Sequence, residues 1–95
     1  MIELDKCYNE NCLDTMARMD DGSIDLVVTS PPYDDLRNYK GYSFQFEEIS
    51  RELVRVLKEG RVLVWVVGDA CVDGSETGTS FRQALRFMDL GLKLD

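Results

Sequence analysis

Hydrophobic residues recur at helical spacing in three parts of the chain. The first part begins after Asn11, a residue type that is typical of a helix N-cap, and has apolar residues at 13, 16, 17 and 19. The second runs from residue 43 to about 58 with a single apolar stripe, and Gly60 just past it predicts the helix end. We therefore expect two helices before residue 60.

The third helical stretch begins with a capping-box pattern. Ser80 and Gln83 have the residue types and the spacing of that motif, so we expect a helix to start there. Its predicted inward face consists of Ala84, Leu85 and Met88. We expect the helix to end before Gly91.

Two stretches between these helices predict strands. Residues 24–29 are apolar and β-branched, and residues 61–68, RVLVWVVG, are apolar at nearly every position. A strand without alternation is typical of one that is covered on both faces, so the second should be a central parallel strand. Residues 92–95 are expected to begin a further strand. Alternating helices and strands predict an α/β fold with a mostly parallel sheet and flanking helices, in which ligands bind beyond the carboxyl ends of the strands.

The composition describes one small globular domain. The 95 residues are 44% hydrophobic and 31% charged, and no apolar run is long enough to cross a membrane. The opening MIELDKCYNE lacks the basic start and apolar block of a secretory signal, so we expect a cytoplasmic protein. The net charge of −7 has the wrong sign for a chain that holds DNA phosphates by itself.

Cysteine and histidine usage narrows the chemistry. Cys7, Cys12 and Cys71 cannot all pair within one chain, and we expect free thiols. A zinc site would have to add Asp or Glu to these unevenly spaced cysteines, so we expect no metal. Because the chain has no histidine, Ser/His/Asp and Cys/His catalysis are excluded.

The stretch DLVVTSPPY, residues 25–33, carries the candidate chemistry. Adjacent Pro31 and Pro32 make a stiff extended segment whose carbonyl groups lack local donors. The Ser30 hydroxyl beside the Pro31 carbonyl could accept both hydrogens of a planar amine, and the Tyr33 ring could stack on its heterocycle. Such fixed acceptors favour a tetrahedral nitrogen with a free lone pair, ready to attack a methyl sulfonium. The alternative is a rigid turn with a half-buried tyrosine.

These residues resemble the catalytic motif of the amino-group DNA methyltransferases, which modify adenine N6 or cytosine N4 with S-adenosylmethionine. Three longer segments extend the resemblance over nearly the whole chain: CLDTMARMDDGSIDLVVTSPPYDDLRNY, RELVRVLKEGRVLVWVVGDA and GSETGTSFRQAL. Together they look like the N-terminal half of the permuted subgroup, in which the catalytic motif precedes the cofactor motif.

The resemblance implies a partial Rossmann-like, S-adenosylmethionine-dependent methyltransferase fold and a DNA-binding enzyme of restriction-modification type. Ser30 and the Pro31 carbonyl would hold the target amine, Pro32 would stiffen the segment, and Tyr33 would stack on a base flipped out of the duplex. Serine at the first motif position resembles the cytosine N4 branch more often, and the target base stays open between cytosine and adenine.

The sequence departs from the family pattern in two places. Asn11 stands where the family usually has an acidic residue that meets the cofactor, so Asn11 either contacts cofactor or only caps its helix. The glycine-rich F-x-G-x-G cofactor loop is absent, because residues 74–78 have a different spacing, and the basic target-recognition region is missing too. We therefore expect residues 1–95 to be one truncated catalytic domain that is inactive alone and binds S-adenosylmethionine weakly or not at all.

An apolar strand at residues 62–67 needs cover on both faces and a neighbour on each edge. With so few other elements, we expect a homo-oligomer, most simply a dimer, with residues 81–94 contributing to the contact. Two other functions stay open: a non-catalytic remnant that persists as a small self-associating α/β module, and methylation of another amine, such as a glutamine side chain or an RNA base.

Overall fold

The computed structural model describes residues 2–31, 45–68, 71–76 and 78–94. Within these ranges the order of elements is helix, strand, helix, three strands and helix, and the two longer strands pair in parallel. The predicted small α/β arrangement with flanking helices is therefore confirmed. The elements are α1 (Cys12–Ala17), β1 (Ile24–Thr29), α2 (Phe46–Val56), β2 (Leu57–Trp65), β3 (Cys71–Val72), β4 (Ser75–Glu76) and α3 (Thr79–Asp89).

Helix α1 begins where the sequence predicts it. Asn11 has an extended backbone, and its Oδ1 accepts a hydrogen bond of 2.9 Å from the Leu13 amide. The carboxyl end of α1 is held by Arg55 of α2, whose guanidinium donates to the carbonyl oxygens of Met16 (2.6 Å) and Met19 (2.9 Å). Because these bonds join the two helices, Arg55 fixes the position of α1 against the rest of the fold.

The boundary between α2 and β2 differs from the prediction. The helix ends at Val56 rather than near residue 58, because Leu57 is already extended and pairs with Ile24 of β1. The register then shifts before Leu26, which pairs with Val62, so β2 accommodates extra residues in a bulge. Gly60 lies in that bulge with a φ of +80°, and so it serves the strand rather than ending the helix.

Helix α3 is rotated relative to the prediction. Its N-cap is Gly78 with a φ of +75° and no side-chain cap bond, so the predicted capping box is wrong. The Gln83 side chain is buried instead and accepts a hydrogen bond of 2.9 Å from Trp65 Nε1. Leu85 and Met88, predicted to face inward, are 59% and 44% exposed, because Gln83 and Phe87 occupy the inward face.

The carboxyl end of α3 lies where the sequence predicts it. As predicted, the helix ends before Gly91, which has a φ of +111°. Residues 92–94 form no strand, so that prediction is wrong over the described part.

Strands β3 and β4 form an antiparallel hairpin across Asp73 and Gly74, both with positive φ. An Asp-Gly pair is a sequence signal for such a hairpin turn.

The core lies on one side of the β1–β2 sheet. Its buried side chains include Met16, Leu53, Val56 and Phe87, one or more from each helix. The rings of Phe46, Trp65 and Phe87 meet edge to face with centroids 5.0–5.9 Å apart.

The opposite side of the sheet carries apolar side chains that remain exposed. In the described part of the chain, the predicted cover on both faces of β2 is therefore not found, and β2 pairs with β1 alone. We call this surface the bare face; it consists of Leu26, Val28, Val62, Val64 and Val66.

Candidate functional site

The candidate site lies at the carboxyl ends of the two parallel strands. Thr29, the last residue of β1, pairs with Trp65, the last residue of β2, and the next amide, of Val66, donates to the Thr29 carbonyl at 2.9 Å. Ser30 and Pro31 follow at once, with Ser30 exposed and Pro31 buried. The sheet thus ends immediately before the SPPY motif, and Ser30, the first residue of the motif, is exposed.

The described residues include only part of the predicted catalytic set. Ser30 and Pro31 stand together at the strand end, where ligands of open α/β sheets bind. Pro32 and Tyr33 lie outside the described residues. Their roles therefore stay predictions.

Asn11 acts as a helix cap. Its side-chain oxygen accepts the Leu13 amide, which is the simpler of the two interpretations that the sequence left open. A contact between Asn11 and the cofactor stays a prediction.

The neighbouring acid, Glu10, is held by an arginine. Arg18 Nη1 and Nη2 donate to the two carboxylate oxygens of Glu10 at 2.9 and 3.0 Å. The hydrogen bonds from Arg18, and then one from Thr15, lower the pKa of Glu10. Sequence reasoning missed this pair, because Glu10 precedes the N-cap of α1 and the pair is not one of the i, i+3 or i, i+4 pairs that a helix places side by side.

The described residues do not fit S-adenosylmethionine. The Glu10 carboxylate is neutralised by Arg18, and the Asn11 oxygen is used by the backbone. Gly74 lies in the turn of a hairpin, and Gly78 only caps α3, so no glycine-rich turn joins a long strand to a helix in the described ranges. In the described ranges, the side chains that the resemblance indicates for the methyl donor are thus engaged within the chain itself.

A cleft of about 960 Å³ opens along the other edge of β2. It is lined by β2 residues of both faces and by residues of α3 and the segment after it, and no β1 residue lines it. The cleft thus follows the outer edge of the strand. Sequence analysis did not locate it, because it depends on the rotation of α3. Representative lining residues are Val62, Leu63, Trp65, Ala84, Met88 and Leu92.

Three further properties concern the described residues as a whole. They contain no group of three or more His, Cys, Asp or Glu side chains placed to hold a metal ion. The thiols of Cys7, Cys12 and Cys71 are free and exposed. No helix in these ranges is long and apolar enough to cross a membrane.

Comparison with known proteins places the chain in a family. The family model described as DNA methylase matches residues 24–94, which is more than half of the chain and includes the SPPY motif. The orphan methyltransferase M.BamHII of Bacillus amyloliquefaciens is 70% identical over 74 residues, 78% of this chain and 28% of that protein. The type II methyltransferase M.BglII of Bacillus subtilis is 38% identical over 96 residues, 94% of this chain and 27% of that protein.

The chain thus spans little more than a quarter of the length of these two relatives. No solved structure is significantly similar to it. The family match confirms the resemblance that the motif suggested, and the chain belongs to the family of DNA methylases that modify the N4 or N6 amino group.

Proposed function

We propose that this protein supplies the catalytic-motif part of an enzyme that transfers a methyl group from S-adenosylmethionine to an exocyclic amine of DNA. The amine is N4 of cytosine or N6 of adenine in a base flipped out of the duplex. In this proposal, β1 and β2 with α2 and α3 are part of a larger Rossmann-like sheet. The observation that carries the proposal is the family match across a motif that starts directly after the last residue of a parallel strand.

The residues of this chain act on the amine. The Ser30 hydroxyl and the Pro31 carbonyl accept its two hydrogens, and Pro32 keeps the acceptors at a fixed separation. Because both N–H groups are held, the nitrogen lone pair is directed away from the ring and towards the methyl donor. Tyr33 stacks on the flipped base and keeps it in the site.

The methyl donor and the DNA backbone require residues beyond the described set. S-adenosylmethionine is proposed from the family, and the charge of −7 leaves DNA phosphates to basic residues elsewhere. We therefore propose that residues 1–95 behave as one truncated catalytic domain and do not methylate DNA alone. A cytoplasmic location and a restriction-modification role follow from the same proposal.

A chimera tests the function. The segment of M.BamHII that matches this chain is replaced by the corresponding part of this chain, and methyl incorporation into DNA is followed with a labelled donor. Mass spectrometry of the digested nucleosides then identifies the base, with N4-methylcytosine or N6-methyladenine expected. A folded chimera, judged by circular dichroism, that methylates neither base would overturn the proposal.

The motif is tested in the same chimera. Tyr33→Ala should slow methyl transfer about 5- to 150-fold, because stacking of one base on an aromatic ring contributes about 1 to 3 kcal/mol. Tyr33→Phe is the matched control, since it keeps the ring and loses only the hydroxyl. Equal rates for Tyr33→Ala and the parent chimera would show that this tyrosine has a structural role only.

The two alternative functions give different results in this assay. A non-catalytic self-associating module would leave the chimera folded and inactive on every substrate. Methylation of another amine would transfer label to RNA or protein rather than to DNA. The family description, DNA methylase, favours DNA among these substrates.

A further inference from the structure

The bare face is unusual for the surface of a small soluble domain. Its five side chains are all aliphatic and are 39–63% exposed; four of them come from β1 and β2, and Val66 directly follows β2. None of them belongs to the core cluster or packs against it. A contiguous apolar patch of this kind marks an interaction site.

The register shows that the bare face is one continuous surface. Leu26 pairs with Val62, and Val28 pairs with Val64, so these four side chains lie on the same side of the sheet. Their neighbours Val27 and Leu63 pair on the opposite side and pack against the core. Both sides of the sheet are thus apolar, which is typical of parallel strands that are covered on each face.

The outer edge of β2 also indicates an interaction site. In the described ranges β2 pairs with β1 only, and the cleft runs along its other edge. An unpaired edge next to an apolar cleft accepts a further strand through main-chain hydrogen bonds.

We infer that the bare face and the outer edge of β2 dock the polypeptide that the relatives carry outside the segment they share with this chain. The inference rests on the proposed function and names the partner that completes it. This chain spans 28% of M.BamHII and 27% of M.BglII, so both relatives contain ample polypeptide to cover the sheet. The partner presents apolar helices to the bare face and a strand to the edge.

A second copy of this chain is a poorer occupant. Helices α2 and α3 pack on the core side of the sheet, so the copy has no described helix directed at the bare face. Parallel α/β sheets are covered by helices on both faces. The relatives' additional polypeptide supplies what the copy lacks.

Co-expression tests the docking. The tagged chain is expressed together with M.BamHII from which the matched segment has been deleted, and the complex is purified by the tag. The expected result is a complex of one copy of each, determined by light scattering. Recovery of the tagged chain alone, or of a self-associated form that persists beside soluble partner, would overturn the inference.

Two matched variants locate the interface. Val62 on the bare face and Leu85 on the outside of α3 are 58% and 59% exposed, so the same change to Asp starts from nearly equal exposure. Val62→Asp should lower the yield of complex about tenfold or more, because docking would bury an unpaired carboxylate. Leu85→Asp should leave the yield unchanged. Equal effects of the two variants would contradict the assignment of the face.

The chimera keeps the inference testable if the deleted relative does not stay soluble. In the chimera, Val62→Asp should lower the melting temperature clearly more than Leu85→Asp does, since only Val62 is covered. Equal melting temperatures for the two variants would overturn the inference.

The methylation readout separates this inference from the proposed function. A complex that forms and is inactive on DNA refutes the function and leaves the docking intact. Methylation without any effect of Val62→Asp on complex yield refutes the docking and leaves the function intact.

Discussion

Replacing Phe87 by alanine should remove the centre of the hydrophobic core. Phe87 is 6% exposed, and its ring lies 5.0 Å from that of Trp65 and 5.5 Å from that of Phe46, measured between centroids. The variant therefore deletes both edge-to-face contacts and leaves a cavity between α3, β2 and α2. Because the helix and the strand surround the ring, the site cannot collapse without moving backbone.

The expected loss of unfolding free energy is about 3 to 5 kcal/mol, the usual cost of truncating a buried phenylalanine. A domain of this size has an unfolding free energy of only roughly 5 to 14 kcal/mol, so Phe87→Ala removes a large part of that stability. At about 4 to 8 °C per kcal/mol, the melting temperature should fall by at least roughly 12 °C.

Urea unfolding followed by tryptophan fluorescence and far-ultraviolet circular dichroism measures this loss. Phe81→Ala is the matched control, because Phe81 lies on the same helix and is 68% exposed. Its unfolding free energy should stay within about 0.5 kcal/mol of the parent chain. A larger loss for Phe81→Ala than for Phe87→Ala would refute the rotation of α3 described above.

Three further results are expected. Isothermal titration of the chain with S-adenosylmethionine should show weak binding or none, and micromolar binding would contradict the proposal that the methyl donor requires residues beyond the described set. The pKa of Glu10 is lowered in the folded chain, so its carboxylate stabilises the fold above the ordinary pKa of about 4.3. This contribution is lost as the pH falls through the lowered pKa. The difference in melting temperature between the parent chain and Glu10→Gln should therefore disappear on acidification. Light scattering should find the isolated chain as a dimer, whereas a monodisperse monomer at micromolar concentration would refute it.

Local signals in the sequence predicted the elements whose ends depend on local chemistry. The Asn11 cap and strand β1 were predicted to the residue, because a side-chain oxygen at an N-cap and a run of β-branched residues act within a few positions. The limits of β2 were not, because its first residue is set by pairing with Ile24, which is distant in sequence. Tertiary pairing overrode the helix pattern there.

The inward face of α3 shows the same limit more sharply. Leu85 and Met88 have the spacing of a core stripe, yet the polar Gln83 takes the buried position. The reason is a partner that the helix sequence does not contain, the Trp65 indole N–H on β2. A buried amide with such a partner is stable, and the helix rotates to make that bond.

For the candidate site, the sequence predicted where the motif stands and not what surrounds it. The position of Ser30 and Pro31 beyond a parallel strand follows from the strand pattern, and the structure confirms it. The Glu10–Arg18 pair joins residues at the two ends of α1, and the cleft beside β2 depends on how α3 lies against that strand; periodicity encodes neither contact.

The composition of the bare face bears on the choice between a self-sufficient module and part of a larger enzyme. Its five residues contribute nothing to the described core, so polar residues there would cost no packing and would improve solubility. A strand with one side exposed to water is normally apolar on one side and polar on the other. Residues 62–67 instead keep valine, leucine or tryptophan at every position, which matches a strand buried on both sides. The sequence of β2 is therefore suited to a covered sheet, and this favours the docking of further methyltransferase polypeptide over a remnant that functions alone.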